Sequence, residues 1–241
     1  MGNEGGVWVM RGLAPDDPCR IRTWRDLVGF VDEAGFLPLF ANGIPGFSVE
    51  EHTAPQDWWT GDPKRDPWEW REVIAQSGEV AYGKFFGGKS GFVSREWFPA
   101  FANYRRDGYD FDARWEDGLA NIRHKKVMDC YPQEADEGIP PAQHMGPELK
   151  RLAGFGKDGY KNFSGIMTEL QMQTYLVICG FERRKDKKGH GYGMPSSIYA
   201  RPEGLWGYDY IAGAYAEDPK NPENGFMRRS CGHFQAGMNV R

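Results

Sequence analysis

The sequence predicts an α+β protein that is mainly helical and contains winged helix-turn-helix modules with short β-hairpins. Three observations support this fold class. Apolar residues recur at helical spacing in several capped segments, and aromatic or β-branched runs broken by glycines follow them. Between residues 147 and 202 the order is helix, turn, helix, and then a hairpin with a basic tip. That order is typical of modules that bind duplex DNA.

Composition limits the classes of function. The chain has 241 residues, of which 40% are hydrophobic and 15% aromatic, and a formal net charge of -4. Any affinity for phosphates must therefore come from local basic patches. No apolar run approaches the ~20 residues that cross a bilayer, and the first residues lack the apolar core of a secretory signal. We therefore expect a cytoplasmic protein, with its four well-separated cysteines as free thiols.

The N-terminal half opens with two well-marked helices. Thr23 and Asp26 form a capping-box pattern, and Gly35 is a natural stop for the helix that follows them. Asp66 is an N-cap that precedes a proline, and Gly78 ends the second helix. The segment from Val80 to Val93 then predicts a β-hairpin, and further helices are expected up to Gly108 and from Asp110 through Ile122.

The C-terminal half predicts the clearest module. A short helix over residues 147–154, closed by Gly154, is followed by a helix from Asn162 to Gln173, whose apolar residues lie on one stripe. Strands are expected at residues 175–178 and 196–200, and a last helix opens at Pro202 and includes Tyr210. The predicted organisation is a mixed α/β module at 21–131, an acidic linker rich in Pro and Gly at 132–146, a winged helix-turn-helix domain at 147–215 and a polar tail at 216–241. The first module repeats the helices-then-hairpin order, which suggests a tandem pair.

Basic and polar residues of the second module are candidates for nucleic-acid binding. Two lie at the start of the second helix and five in the hairpin: Lys161, Asn162, Arg183, Arg184, Lys185, Lys187 and Lys188. The hairpin cations would clamp phosphates, and the alternative is a solvated hairpin tip. A helix with only Lys161 as a cation is a poor reader of base sequence.

Four tryptophans lie between residues 58 and 70. Trp58, Trp59 and Trp68, together with Arg71, predict a pocket for a base or another flat ligand, because aromatic faces stack on extruded bases. The alternative is a small core in which the tryptophans fasten a long loop, and this alternative is favoured for Trp70. Asp62 and Glu69 are the candidate catalytic acids of the same segment.

The triplet Gln171-Met172-Gln173 is a further candidate for catalysis. Two glutamines two residues apart share a face only on an extended backbone, and on a helix they diverge by ~200°. A glutamine both donates and accepts hydrogen bonds and can contact adenine through two bonds. The alternative is a pair of solvated positions opposite the apolar stripe.

The chain resembles the AlkZ-related proteins of anaerobic and gut bacteria. The resemblance lies in several segments between residues 21 and 215, among them Phe36–Phe40, Trp58–Pro63, Asp66–Arg71, Tyr82–Phe86, Tyr104–Asp110, Leu170–Tyr175 and Leu205–Tyr208. That family is similar to the AlkZ DNA glycosylases, which excise alkylated bases by means of tandem winged helices and a Gln-x-Gln motif. In those enzymes the motif lies near the start of the chain, whereas Gln171 and Gln173 lie late in this one.

The resemblance implies a DNA-binding protein, with monofunctional glycosylase activity on alkylated bases as the candidate reaction. Gln171 or Gln173 would orient a water, and Asp62 or Glu69 would stabilise the developing oxocarbenium. Duplex DNA is then the partner, and neither a metal nor an organic cofactor is needed. Two alternatives stay open: a non-enzymatic winged-helix transcriptional regulator, and a small-molecule-binding protein that uses the tryptophan-rich loop.

Overall fold

The computed structural model describes residues 2–4, 7–132, 140–185, 188–189 and 191–220. Contacts within the chain divide its described residues into two compact units, unit 1 up to Phe98 and unit 2 from Pro99 to Lys220. Within the described part of the chain, no helix combines the length and the apolar character needed to cross a membrane.

Unit 1 contains two helices of eleven residues and an antiparallel set of strands. Its elements are β1 (Gly2–Glu4), β2 (Val7–Val9), α1 (Trp24–Ala34), β3 (Phe36–Pro38), α2 (Pro67–Ser77), β4 (Val80–Phe86) and β5 (Lys89–Ser94). β5 pairs with β3 on one side and with β4 on the other. The long segment between β3 and α2 is irregular apart from two 3-10 turns, at Glu50–His52 and Pro55–Asp57.

The sequence signals at the ends of α1 and α2 are confirmed. Thr23 and Asp26 form the capping box of α1, and Asp66 caps α2 in front of Pro67. Gly78 ends α2 in the left-handed conformation, with φ 68°. These caps hold the helices whose apolar faces form the core of the unit. That core includes Leu27, Val31, Leu37, Ile74 and Phe92, all with no exposed surface.

Unit 2 contains shorter helices and a second antiparallel set of strands. Its elements are α3 (Phe98–Arg106, which begins at the boundary), α4 (Phe111–Glu116), α5 (Ile122–Met128), β6 (Gln143–Met145), α6 (Gly146–Leu152), α7 (Phe163–Met172), β7 (Val177–Lys185), β8 (Gly191–Ala200), α8 (Pro202–Trp206) and α9 (Tyr208–Ala212). A 3-10 turn follows at Gly213–Ala216. β8 pairs with β7 and with β6. The core includes Val127, Leu149, Ile166, Leu170 and Leu176.

The predicted fold class, mainly helical with winged helix-turn-helix modules and short β-hairpins, is wrong. The described residues contain six antiparallel strands besides β1 and β2, so the chain is not mainly helical with isolated hairpins. β7 has 9 residues and β8 has 10, so that hairpin is also not short. Polar and basic residues from Glu182 to Lys185 have weak strand propensity, but pairing with β8 extends the strand through them.

Two predicted helices are each broken by a glycine. The helix expected from Asp110 through Ile122 is divided into α4 and α5, and Gly118 between them has φ 70°. The last helix, expected from Pro202, is divided into α8 and α9 at Gly207, which has φ 95°. An α-helix cannot pass through a residue with positive φ, although the apolar spacing continues across both breaks.

The predicted domain boundaries stay predictions. Within the predicted linker 132–146, residues 133–139 lie outside the described residues, while its end includes β6. Most of the predicted tail 216–241 also lies outside the described part. Cys19, Cys130 and Cys179 are free thiols, as expected, and Cys231 is not among the described residues.

Candidate functional site

A buried carboxylate organises the tryptophan-rich loop of unit 1. Asp66 has no exposed surface, and its oxygens accept hydrogen bonds from the backbone N–H groups of Trp59 (3.1 Å), Gly61 (2.8 Å) and Trp68 (2.9 Å). The sequence predicts Asp66 only as a helix cap. The same side chain also closes the loop in front of α2, so the cap and the loop depend on one group.

Trp59 is held in an unusual backbone conformation with its ring exposed. Its φ is 58°, in the left-handed region that non-glycine residues rarely adopt, and 51% of its surface is exposed. Such strain persists only where the surrounding structure fixes it, and here the hydrogen bond to Asp66 does so. A strained backbone that keeps a large apolar ring in solvent is a feature of binding sites.

Trp59 belongs to an aromatic cluster, here named the aromatic platform, formed by Phe40, Trp58, Trp59 and Trp68. The ring centroids of Trp58 and Trp59 are 5.8 Å apart, and those of Phe40 are 5.4 Å from Trp58 and 6.3 Å from Trp68. Trp58 is buried, and its Nε1 donates to Thr53 Oγ1 at 2.9 Å. Trp58 therefore forms the base of the platform, while Trp59 is its exposed part.

Arg71 lies against the platform. The centre of its guanidinium group is 3.9 Å from the centroid of the Trp68 ring, and Nη2 donates to Glu72 Oε1 at 3.1 Å. A planar cation on an indole face fixes the Trp68 ring, and Glu72 pairs with its charge. Burial raises the pKa of the neighbouring Tyr82, so its hydroxyl stays neutral at physiological pH.

The two predicted catalytic acids lie on the same loop and helix. Asp62 Oδ1 accepts from the backbone N–H of Lys64 at 3.0 Å, and Oδ2 lies 3.7 Å from Arg65 Nε. Glu69 is half-buried in the first turn of α2. A third acid, which sequence reasoning missed, is Asp57, whose Oδ2 lies 2.5 Å from Arg20 Nη1. Its partner is 37 residues away, so no local pattern indicated the pair.

Gln171 and Gln173 lie in the last turn of α7 and at its C-cap. Gln171 is 1% exposed, and its Nε2 donates to the carbonyl of Met167 at 2.8 Å. Gln173 is partly exposed and has a helical-type backbone with φ −84°. On this backbone the two side chains point to different sides, as the helical alternative predicts. The geometry therefore gives Gln171 a packing role within the helix.

Lys161, just before α7, forms hydrogen bonds within its own loop. Lys161 Nζ donates to the carbonyls of Gly156 (2.6 Å) and Lys157, and Asn162 has a left-handed backbone with φ 65°. These residues lie about 15 Å along the helix from the two glutamines.

Of the predicted hairpin cations, Arg183 and Lys188 are exposed, and Arg183 Nη1 donates to the carbonyl of Gly193 at 2.7 Å. Arg184 and Lys185 belong to β7, but their side chains are outside the described part of the chain. Lys187 lies outside the described residues.

A buried arginine of unit 2 was also missed. Arg106 has no exposed surface and contacts Glu203 Oε1 (2.6 Å), the Tyr215 hydroxyl (2.5 Å) and both Oγ1 (3.2 Å) and O (2.8 Å) of Thr174. Its guanidinium also lies 4.7 Å from the ring centroid of Tyr175. The segments Tyr104–Asp110 and Leu170–Tyr175, on which the resemblance rests, meet here. Their separation of 68 residues gave no pairing signal.

Charge pairing dominates the electrostatics of this arginine. Burial raises the pKa of Glu203, but Arg106 and Arg201 outweigh it and lower the pKa overall. Burial likewise disfavours the charged form of Arg106, and Glu203 and Tyr215 reverse the effect, so its pKa is raised. The Arg106 guanidinium therefore links α3 to Thr174, just after α7, and to Glu203 in α8.

The structure thus brings Trp58, Trp59, Trp68 and Arg71 together around one loop in unit 1. In unit 2, Lys161 and Asn162 lie at one end of α7 and the two glutamines at the other. No curated protein and no solved structure matches this chain. The family model described as AlkZ related matches residues 21–236, which is most of the chain. The chain therefore belongs to the AlkZ-related family.

Proposed function

We propose that this protein binds duplex DNA and holds an extruded base on the aromatic platform, where it hydrolyses the N-glycosyl bond of an alkylated base. The observation that carries the proposal is Trp59, an exposed ring fixed on strained backbone by a buried carboxylate. A surface ring that is held rigidly loses little entropy when a flat ligand stacks on it. Stacking of a base on an aromatic side chain contributes about 1–3 kcal/mol.

The chemistry of the platform suits an alkylated purine. Alkylation at a ring nitrogen gives the base a positive charge, and indole faces attract cations. Cleavage breaks the bond between C1′ and the base nitrogen, the base leaves with the bonding electrons, and water adds to C1′ with loss of a proton. The sugar passes through an oxocarbenium-like state, which a carboxylate stabilises. Asp62 and Glu69 are the proposed carboxylates, since both belong to the loop and helix that carry the tryptophans.

The hairpin formed by β7 and β8 supplies the proposed contact with phosphates. Arg183 and Lys188 are exposed there, and the sequence adds Arg184, Lys185 and Lys187. Because the whole chain has a net charge of -4, we expect binding to be modest and strongly weakened by salt. A cytoplasmic location and duplex DNA as the partner belong to this proposal. Gln171 and Gln173 stay predicted catalytic residues. Because Gln171 is buried and bonded within its own helix, the proposal assigns the main catalytic role to Asp62 and Glu69.

A small-molecule-binding protein is the second candidate function. It is favoured by the start of α7, where Lys161 bonds the carbonyls of its own loop and so is occupied within the protein. On this account the platform would take a free aromatic ligand, and DNA would not bind.

Fluorescence anisotropy of labelled duplexes tests the proposal. An undamaged duplex and one with an abasic-site analogue are titrated at low and moderate salt, and base release is then assayed on alkylated DNA. We expect salt-sensitive binding that favours the analogue, together with base release that is lost in Asp62→Asn/Glu69→Gln. Absence of binding at low salt would overturn the proposal and favour the small-molecule candidate. Equal binding to both duplexes without base release would favour a regulator instead.

A further inference from the structure

The loop at residues 41–48 of unit 1, here named the Ile44 loop, is fixed by side chains at both ends. Glu50 is buried and accepts from the backbone N–H of Ala41 at 3.0 Å. Glu51 accepts from the backbone N–H of Gly46 at 2.8 Å and from the Ser48 hydroxyl at 2.6 Å. These carboxylates hold the loop at its start and near its end, so it does not depend on ligand binding for its shape.

The tip of the loop is equally constrained. Asn42 Oδ1 accepts from the backbone N–H of Ile44 at 2.9 Å, and its Nδ2 donates to the carbonyl of Phe47 at 2.7 Å. The N–H of Phe47 donates to the carbonyl of Ile44 at 3.3 Å, which closes a four-residue turn. Pro45 and Gly46, with φ 72°, occupy the central positions that a type II turn requires. His52 Nε2 bonds the carbonyl of Gly46 at 2.8 Å.

This rigid tip presents an apolar side chain to solvent. Ile44 is 40% exposed, and among the described residues of unit 1 the other large hydrophobics with comparable exposure are Val9 and Trp59. Trp59 belongs to the aromatic platform, and Val9 belongs to β2 at the start of the chain. A single exposed isoleucine has no meaning by itself. The exposed side chain is significant here because hydrogen bonds to Ile44, Gly46 and Phe47 fix the turn that carries it.

The loop is also continuous with the aromatic platform. Phe40, a member of the platform, precedes Ile44 by four residues, so their Cα atoms lie within about 14 Å of each other. About four stacked base pairs span this distance, since DNA rises ~3.4 Å per base pair. One duplex is therefore long enough to reach both features.

We infer that Ile44 is an apolar wedge that enters the gap left in a duplex when a base moves onto the aromatic platform. This inference rests on the proposed function. Extrusion leaves a hole in the base stack, and apolar side chains such as isoleucine, methionine and proline insert between base steps in proteins that distort DNA. A wedge must be apolar, exposed before binding and fixed in position, and Ile44 meets all three conditions.

The 2-aminopurine fluorescence of a duplex tests the wedge. The probe is placed next to an abasic-site analogue, and its fluorescence rises when a protein side chain separates it from its stacking neighbour. We expect the full-length protein to raise the signal and Ile44→Ser to abolish the rise, with a loss of about ten-fold in affinity for this duplex. Ile44→Leu should restore both. Ile122→Ser, which removes an isoleucine that is 44% exposed in α5 of unit 2, is the matched control and should leave the signal unchanged.

Two outcomes separate the wedge from the function on which it rests. If the unaltered protein binds duplexes and releases bases, while Ile44→Ser raises the fluorescence as strongly as the unaltered protein, the wedge is overturned and the proposed function survives. If the unaltered protein binds neither duplex, both are overturned. Glu51→Ala, which frees the turn without removing Ile44, should lower the signal in part. Thermal unfolding of each variant checks that the fold is intact.

Discussion

Unit 1 contains a buried aspartate, Asp66, and unit 2 contains a buried arginine, Arg106. The two side chains stabilise different kinds of structure. Asp66 in unit 1 bonds the backbone of a loop and leaves an aromatic ring of that loop exposed. Arg106 in unit 2 bonds side chains and a carbonyl from segments far apart in sequence, and its contacts are enclosed. The first arrangement presents a surface and the second fastens a core. This difference is the reason for placing the candidate site in unit 1.

The largest expected effect is the loss of stability when Arg106 is replaced. Arg106→Met leaves Glu203, with a side chain only 9% exposed, without its closest cation and with only the longer contact to Arg201 at 3.5 Å. Removal of one partner of a buried ion pair destabilises proteins by about 3–5 kcal/mol. We expect a loss of this size in urea unfolding, and part of it should return in Arg106→Met/Glu203→Gln, because the second change removes the stranded charge. A loss below about 1 kcal/mol would contradict the fastening role.

Substitution of Asp66 should cause a smaller loss of stability than substitution of Arg106, but a larger loss of DNA binding. Asp66→Ala removes a helix cap and leaves loop N–H groups without their acceptor, which should lower the free energy of unfolding by about 2 kcal/mol. Asp66→Asn keeps one carbonyl oxygen and should lose less. Both should weaken DNA binding, since Trp59 is no longer held. Unfolding and anisotropy measured on the same preparations distinguish this result from general destabilisation.

The smallest effect concerns a histidine of unit 2. His124 Nε2 lies 2.7 Å from Glu169 Oε2, but burial lowers the pKa of His124 and this effect exceeds the opposing influence of Glu169. The unfolded chain therefore takes up the proton first as pH falls below about 6.5, so stability should decrease in that direction. His124→Gln should reduce the difference between unfolding curves at pH 7.5 and 5.5. An unchanged pH dependence would exclude His124 as its source.

Local signals in the sequence were sufficient for α1, α2 and the β4–β5 hairpin. Their caps and turns depend on residues within a few positions of one another, such as Thr23 with Asp26. The tryptophan pocket was also a local hypothesis, since Trp58, Trp59 and Trp68 are close in sequence. Arg106 was not predictable, because Thr174 and Glu203 lie 68 and 97 residues away. The mainly helical fold class failed where cross-strand pairing extended β7 through polar residues.

Binding of a duplex that carries an alkylated base to Trp59→Ala tests the central claim most directly. Tyr208→Ala is the matched control. Tyr208 is also a large aromatic residue with a similar exposed fraction, 49% against 51% for Trp59, but it lies in unit 2. We predict that Trp59→Ala lowers affinity about 5- to 150-fold, the equivalent of ~1–3 kcal/mol of stacking, with unchanged unfolding and an unchanged salt dependence. Tyr208→Ala should bind as the unaltered protein does. Equal affinities of both variants and the unaltered protein would contradict the assignment of the aromatic platform as the binding site.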